Sequence, residues 1–383
     1  MSHGLRIPQY FNVHLKKQMA ELYASSAIAD IAMAIVMLFE PIYLYNVLHF
    51  TVPEVLLFMG AVYVLYIVLL PLGGKIVSRF GYEHAILYSI PFQIAYWILL
   101  FGAENNLILL YFAPVVFALQ KTLFWPAFHA CVAKFSNHNQ EGREFSMLHQ
   151  IINLSFVLGP YLGGLISEQF GVRVAFVVAS VIYFASFLPL FGNRQKAVPK
   201  HYSFQDTITL YKKFPKKFFG YLGFGEELLV LTVWPIFIYI VVKNYVDTGI
   251  LATLAAFVAM IIGLYVGRLT DKAKSKVTLL RFGAALYFLT WVSRVIANTF
   301  FSVFAVDSLS RVGKEMVFIP LSTVTYQRAE SSQIMPYVIF FEQSLAIGKL
   351  LAVLLGFLIF TMTGSFLAVF ILAGLFSLLY VLI

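Results

Sequence analysis

Long apolar stretches separated by short polar turns recur along the whole 383-residue chain. Each is rich in Leu, Phe, Val and Ile, and a run of about 20 such residues crosses a bilayer as a helix. Twelve spans are read, near 22–47, 54–76, 84–103, 107–131, 145–167, 172–191, 218–242, 249–267, 277–297, 300–324, 334–361 and 365–383. Twelve crossings would use roughly 240 residues, in keeping with a hydrophobic share of 61%. Charged residues make up 12%, against about 25% in a soluble domain. An outer-membrane barrel would instead show alternating segments of about 10 residues. The pattern excludes an ordinary soluble enzyme, a disordered chain and a disulfide scaffold. Cys131 is the single cysteine, so no internal disulfide can form, and it reads as a packing residue. The expected fold class is an all-α polytopic membrane protein with twelve transmembrane helices.

The net charge is +9. The basic residues fall in short loops between apolar runs, which points to membrane topology rather than to nucleic acid. One side of the membrane collects 20 of the 27 Lys and Arg, the other side two, and five lie inside spans. Basic loops stay on the cytoplasmic side, so both termini are expected there, in a plasma (inner) membrane. The first 20 residues lack an apolar core and include Lys16 and Lys17, so the first span is expected to remain as an uncleaved anchor.

Segment 193–217 is the one long connection and divides the spans six and six. The expected organisation is an N-terminal bundle over 1–192, a cytoplasmic linker over 193–217 and a C-terminal bundle over 218–383. Within the linker, Ser203 and Asp206 can start a helix, with Phe204, Ile208 and Tyr211 on one face. An interfacial helix and a flexible basic linker are both open readings. An offset of 193 places Gly74 on Gly267, Lys121 on Lys314, Gln150 on Gln343 and His149 on Glu342. One further residue of shift aligns Pro41-Ile42 with Pro235-Ile236. Matches in the same spans of both halves argue for duplication of a six-helix unit.

The loop after the second span reads GGKIVSRFGYEH, and its counterpart after the eighth reads GRLTDKAKSK. Here the chain resembles the major facilitator superfamily, whose loop signature is roughly G-x-x-x-D-R/K-x-G-R/K-R/K. The first copy supplies Gly74, Arg79 and Gly81 but has Ser78 where an acid is expected. The second supplies Gly267, Asp271 and Lys272, with Lys274 in place of the second glycine. In that family the loop acid and base lock the halves on the cytoplasmic side, an acid there facing the positive N-terminus of a helix. Basic turns that only set topology are the plainer alternative. A second resemblance is GPYLGG in span five, with Gly159, Pro160, Gly163 and Gly164 matching G-P-x-x-G-G of the family's antiporter signature. Ser155 replaces the upstream glycine. The stretch equally suits close helix packing. The resemblance covers the whole chain and implies two pseudo-symmetric six-helix bundles around a central cavity, with alternating access.

An ionisable side chain at mid-bilayer costs about 2.5–3.5 kcal/mol on insertion scales and is a functional hypothesis by default. The acids in spans are Asp30, Glu40, Glu226, Glu227, Asp307, Glu315 and Glu342; the bases are Lys121, Arg294, Arg311, Lys314 and Lys349. Lys121, in a span that lines the cavity in the resembled family, is the first choice for a substrate contact. Lys314 and Arg311 lie at equivalent depth in span ten, and Gln150 and Gln343 are matched polar candidates. Asp307, Arg311 and Glu315 are spaced for a local ion-pair ladder. Arg294 lies near a span end and could snorkel. Asp30 in span one and Glu226 or Glu227 in span seven are the leading proton-site candidates, because a carboxylate in an apolar cleft can load and release a proton near neutral pH. Glu226 and Glu227 point about 100° apart on a helix, so one of them should face the cavity. Glu342 and His149 are secondary candidates, and Glu40 suits an outer gate. A structural pair between Asp30 and Lys121 is the competing reading. Among the aromatics, Trp125 and Trp234 are candidates for apolar substrate contacts, with Phe124 and Tyr239 beside them.

There is no Walker loop, no HExxH and no paired-cysteine motif, so neither cofactor nor metal is expected. The leading reading is a monomeric secondary transporter of a small organic solute, exported with proton coupling. An uptake symporter for an organic anion, and a receptor that kept the fold and lost turnover, are the alternatives.

Overall fold

A computed structural model describes residues 17–135, 141–190, 202–273 and 275–383. Among them all regular structure is helical. The first group of long helices is α1 (Lys17–Val36), α2 (Val52–Phe80), α3 (Tyr82–Ala103), α4 (Leu109–Phe135), α5 (Glu141–Phe170) and α6 (Val172–Ala185). A short helix, Phe39–Ile42, and a π-helical turn, Tyr43–Val47, continue α1. The second group is α8 (Gly225–Val242), α9 (Tyr245–Lys272), α10 (Lys276–Val292), α11 (Phe300–Glu330), α12 (Ile334–Thr363) and α13 (Phe366–Leu378); between the groups lies α7 (Phe204–Lys213).

Nine helical segments among the described residues are long and apolar enough to cross a membrane. The Phe366–Leu382 segment is apolar but shorter. Over its first half α11 carries Asp307, Arg311, Lys314 and Glu315, which lowers its hydropathy without shortening it. The chain is a multi-pass helical membrane protein.

Local chemistry fixes the helix ends. Thr51 caps α2 by accepting from Glu54 N, and the Glu54 carboxylate in turn accepts from Thr51 N at 2.7 Å, a reciprocal capping box. Gly81 turns the chain from α2 into α3 at φ +91°, a conformation that disfavours any side chain; this accounts for the glycine at that place in the loop motif.

Helices α1–α6 pack on one another, as do α8–α13. Among the described residues the two most extensive seams joining the groups are α5 against α9 and α2 against α12. The GPYLGG stretch makes the first seam possible. Gly159 and Gly163 let α1 approach, and a Cβ on Gly163 would lie 2.0 Å from Ile35 O. Gly164 faces the other way, where a Cβ would meet Tyr245 O of α9 at 2.6 Å, and Gly249 of α9 sits against Pro160 O. At the same end Tyr245 N donates to Glu168 (2.9 Å) and Asn46 donates to Tyr245 Oη (2.9 Å). These contacts close the end of the molecule away from the basic loops.

At the basic end α7 lies across α12. Thr207 Oγ1 donates to Pro336 O (3.3 Å) and Tyr211 Oη to Gln343 (3.1 Å). The ring of Tyr202 rests on Gly74, where a Cβ would stand 2.7 Å from it. Burial pushes the Tyr202 hydroxyl up to about 12. Lys212, Lys213 and Lys216 point outward.

Candidate functional site

A cavity of about 340 Å³ lies between the two helix groups and takes its lining from both. Its walls are aromatic and Met-rich, with Met33, Met59, Phe117, Phe124, Trp125 and Phe341 among them. Into this apolar space project Asp30, Glu40, Lys121, His129, Glu227, Glu342 and Lys349.

Lys121 stands on α4 with Nζ 4.4 Å from the ring centroid of Phe117 and 5.5 Å from that of Tyr63. The ring quadrupoles supply part of what water would give the ammonium. Among the described residues no carboxylate lies within 4.0 Å of it. Lys349 Nζ, on α12, also lies 5.5 Å from the Tyr63 ring and forms an ion pair with Glu227 at 3.2 Å. A single tyrosine ring thus touches one lysine from each group. Glu40 accepts from Tyr96 Oη at 2.5 Å. Glu342 accepts from Tyr66 Oη at 2.6 Å and pairs with His129 Nε2 at 2.8 Å, and His129 Nδ1 lies 2.7 Å from Tyr326 Oη.

Of the residues singled out in the sequence, Lys121, Trp125, Asp30, Glu227 and Glu342 come together at this cavity. Others lie off it. Glu226 points into the second helix group, where it is fully buried and accepts from Tyr287 (2.7 Å), Tyr380 (3.0 Å) and the ammonium of Lys314. Lys314 is thereby a structural partner of Glu226 and not a cavity cation. Arg311 pairs with Asp307 at 2.9 Å, and Trp234 donates its indole N–H to the same Asp307 at 2.8 Å, so neither reaches the cavity. Glu315 accepts from Asn153 (2.9 Å) rather than extending that ladder. Gln343 is spent on Ile67 O (3.1 Å) and Tyr211.

Arg294 does not snorkel. It is 2% exposed, lies 3.4 Å over the Trp291 ring and 4.2 Å over Trp234, and donates to Ser310. Stacking on two indoles offsets the loss of water.

In the loop motif Gly74 is buried under Tyr202 and Gly267 is buried, while Arg79 and Lys272 are exposed and Ser78 is half-buried. The side chains of His149, Gln150 and Asp271 lie outside the described residues.

Sequence reasoning passed over His129 and gave Lys349 no role. A signal existed for both. Lys121, Trp125 and His129 repeat every four residues and so share one helix face; Trp125 and His129 stack at 5.5 Å. Glu342 and Lys349 are seven apart on α12 and share a face in the same way.

The family model of the Major Facilitator Superfamily matches residues 22–242. Relatives include quinolone resistance protein NorA of Staphylococcus aureus strains Mu50 and N315, each 24% identical over 233 residues, covering 61% of this chain and 55% of the relative. NorA of strain MRSA252 is 24% identical over 225 residues, covering 58% of this chain and 53% of its own length. The chain therefore spans little more than half the length of the curated relatives it matches. With more than half of its own residues under the family model, and with two packed helix groups around a shared cavity, the chain belongs to the Major Facilitator Superfamily.

Proposed function

We propose that this protein exports a small organic solute in exchange for protons, by alternating access between two bundles spanning 1–192 and 218–383, with 193–217 as their cytoplasmic connection. The observation that carries this reading is the cavity itself: it is walled by both bundles and holds ionisable groups against apolar walls. Such groups are costly in a membrane and mark solute and proton pathways. The relatives named for quinolone resistance support export of an organic compound.

In this reading Lys121 meets an anionic group on the solute, Trp125 and its aromatic neighbours hold the apolar part, and Asp30 and Glu227 carry protons. The protein works as a monomer in the plasma (inner) membrane with both termini cytoplasmic. One observation favours the opposite direction of coupling. Lys349 is held by Glu227, so protonating Glu227 would free a cation for an anionic solute and bind both together, which is the logic of an uptake symporter.

Reconstituted protein tests the choice. Solute movement in proteoliposomes should follow an imposed pH gradient, outward-directed transport running against proton entry. Accumulation indifferent to the gradient sinks proton coupling, and co-directional movement selects the symporter.

A further inference from the structure

Where the cavity approaches the basic end, four buried polar side chains from both helix groups meet. Tyr66 on α2 and His129 on α4 come from the first; Tyr326 on α11 and Glu342 on α12 come from the second. All four are at most 9% exposed. His129, Tyr326 and Glu342 lie in the basic-end portions of their helices, and Tyr66 lies at mid-helix. The contacts are 2.8 Å from His129 Nε2 to Glu342, 2.7 Å from His129 Nδ1 to Tyr326 Oη and 2.6 Å from Tyr66 Oη to Glu342. The cavity cannot open towards the basic loops without parting α4 from α11 and α12, and that movement breaks the first two contacts.

The geometry points to a proton-binding site shared by His129 and Glu342 that exists only while the basic end is closed, and that delivers its proton to that end when the bundles part. This inference rests on the proton-coupled reading above and adds the place where the proton leaves. Its chemistry follows from the donor inventory. With His129 neutral, Nε2–H donates to Glu342, Nδ1 accepts from Tyr326 O–H, and the cluster holds one negative charge. A proton arriving from cavity water adds to Nδ1, and Tyr326 turns from donor to acceptor. The buried anion becomes a neutral ion pair, which removes the cost of an uncompensated buried charge. Separation exposes imidazolium and carboxylate to water, and the imidazolium proton passes to water at the basic end.

Among the described residues, the other charged and titratable groups facing the cluster do not duplicate this role. Tyr23 of α1 acts on Tyr326, Tyr63 of α2 lies beside Tyr66, and Lys349 of α12 acts on Glu342 while bound to Glu227. Phe341 and Trp125 wall the imidazole with rings. The side chains of α5 before Asn153 lie outside the described residues.

The test is a distance measurement by pulsed electron resonance in the full chain. Spin labels are placed at Lys75→Cys on α2 and Ser331→Cys beside α11, both exposed at the basic end, with Cys131→Ala as background. Acidification from about pH 8 to about pH 5 should shift the wild-type population towards the short distance. His129→Asn and Glu342→Gln should each abolish the shift, and Tyr326→Phe, which leaves the acid–base pair intact, should retain it. Glu342→Gln is nearly isosteric and serves if His129→Asn does not fold. A shift that survives in His129→Asn or Glu342→Gln overturns the site, as does a wild type with no shift. Proteoliposomes loaded with a fluorescent quinolone separate this from the reading beneath it. Gradient-driven movement intact in wild type and equally coupled in His129→Asn overturns the site alone. A His129-dependent distance shift without gradient-driven quinolone movement supports the site and counts against quinolone export.

Discussion

The seal away from the basic loops gives a prediction whose size can be worked from the structure. Gly164→Ala places a methyl group 2.6 Å from Tyr245 O, where ordinary contact begins at 3.4 Å. The opposing atom is backbone at the start of α9, so no side-chain rotamer can absorb the clash. The α5–α9 seam must open by roughly an ångström, and overpacking of this kind costs about 1–3 kcal/mol. Because Gly164 faces the opposite helix group, the cost falls only on conformations in which this end is closed. A penalty of that size shifts a two-state equilibrium roughly 5- to 150-fold. The assay is the rate at which a membrane-impermeant thiol reagent modifies Met37→Cys, a cavity-lining position on the turn after α1, in a Cys131→Ala background. Modification from the end away from the basic loops should accelerate by that factor. Gly163→Ala is the control: its methyl group would lie 2.0 Å from Ile35 O within the same helix group, so it should lower thermal stability in every conformation and leave accessibility unchanged. Equal labelling of Gly164→Ala and the parent, or matching behaviour of the two variants, would refute the reasoning.

Three further outcomes are expected. Lys121→Ala removes a cavity cation that, among the described residues, has no carboxylate within 4.0 Å, and should weaken binding of an anionic solute by about 1.5–3 kcal/mol in a direct binding titration; unchanged affinity removes Lys121 from the site. Glu226→Gln leaves Lys314 without its counter-charge and should destabilise the protein by about 3 kcal/mol in a detergent unfolding series, with Lys314→Met in the same chain restoring much of the loss; no recovery would show that the pair is not the cause. Tyr202 has a hydroxyl raised to about 12 by burial, so the stabilisation from its neutral form is complete below the ordinary tyrosine range and is lost as pH rises through about 12; an absorbance titration that ionises all exposed and linker tyrosines together near pH 10 would contradict it.

Much of the fold was legible because membrane insertion demands a crude signal. A run of about 20 apolar residues has few readings, and Gly81 and the GPYLGG stretch announced a turn and a close contact. The site was legible only as a set of costs. Lys121 and Asp30 stood out because a charge in a span needs a reason, but cost does not say where a side chain points. The repeat equated Lys121 with Lys314, and duplication conserves depth more readily than facing: Lys314 turns into its own bundle to meet Glu226. Choosing Glu227 over its neighbour required the helical phase, which a difference of one residue rotates by about 100°. Arg294 departs from the snorkelling expectation because a hydropathy scale does not register the two indoles on which it stacks. His129 escaped because the repeat singles out His149, the histidine aligned with Glu342; its four-residue spacing from Trp125 and Lys121 was the available clue.

The two seams described above, α5 on α9 and α2 on α12, have a mechanical consequence. On the proposed alternating-access reading, two helix groups held along these seams keep one easy motion relative to each other, a rotation about the line joining the seams. Such a pivot couples the two mouths as a seesaw couples its ends: whatever widens one narrows the other. Protection against a continuous pore would then reside in where the bodies touch, independent of solute, proton or any single gate residue.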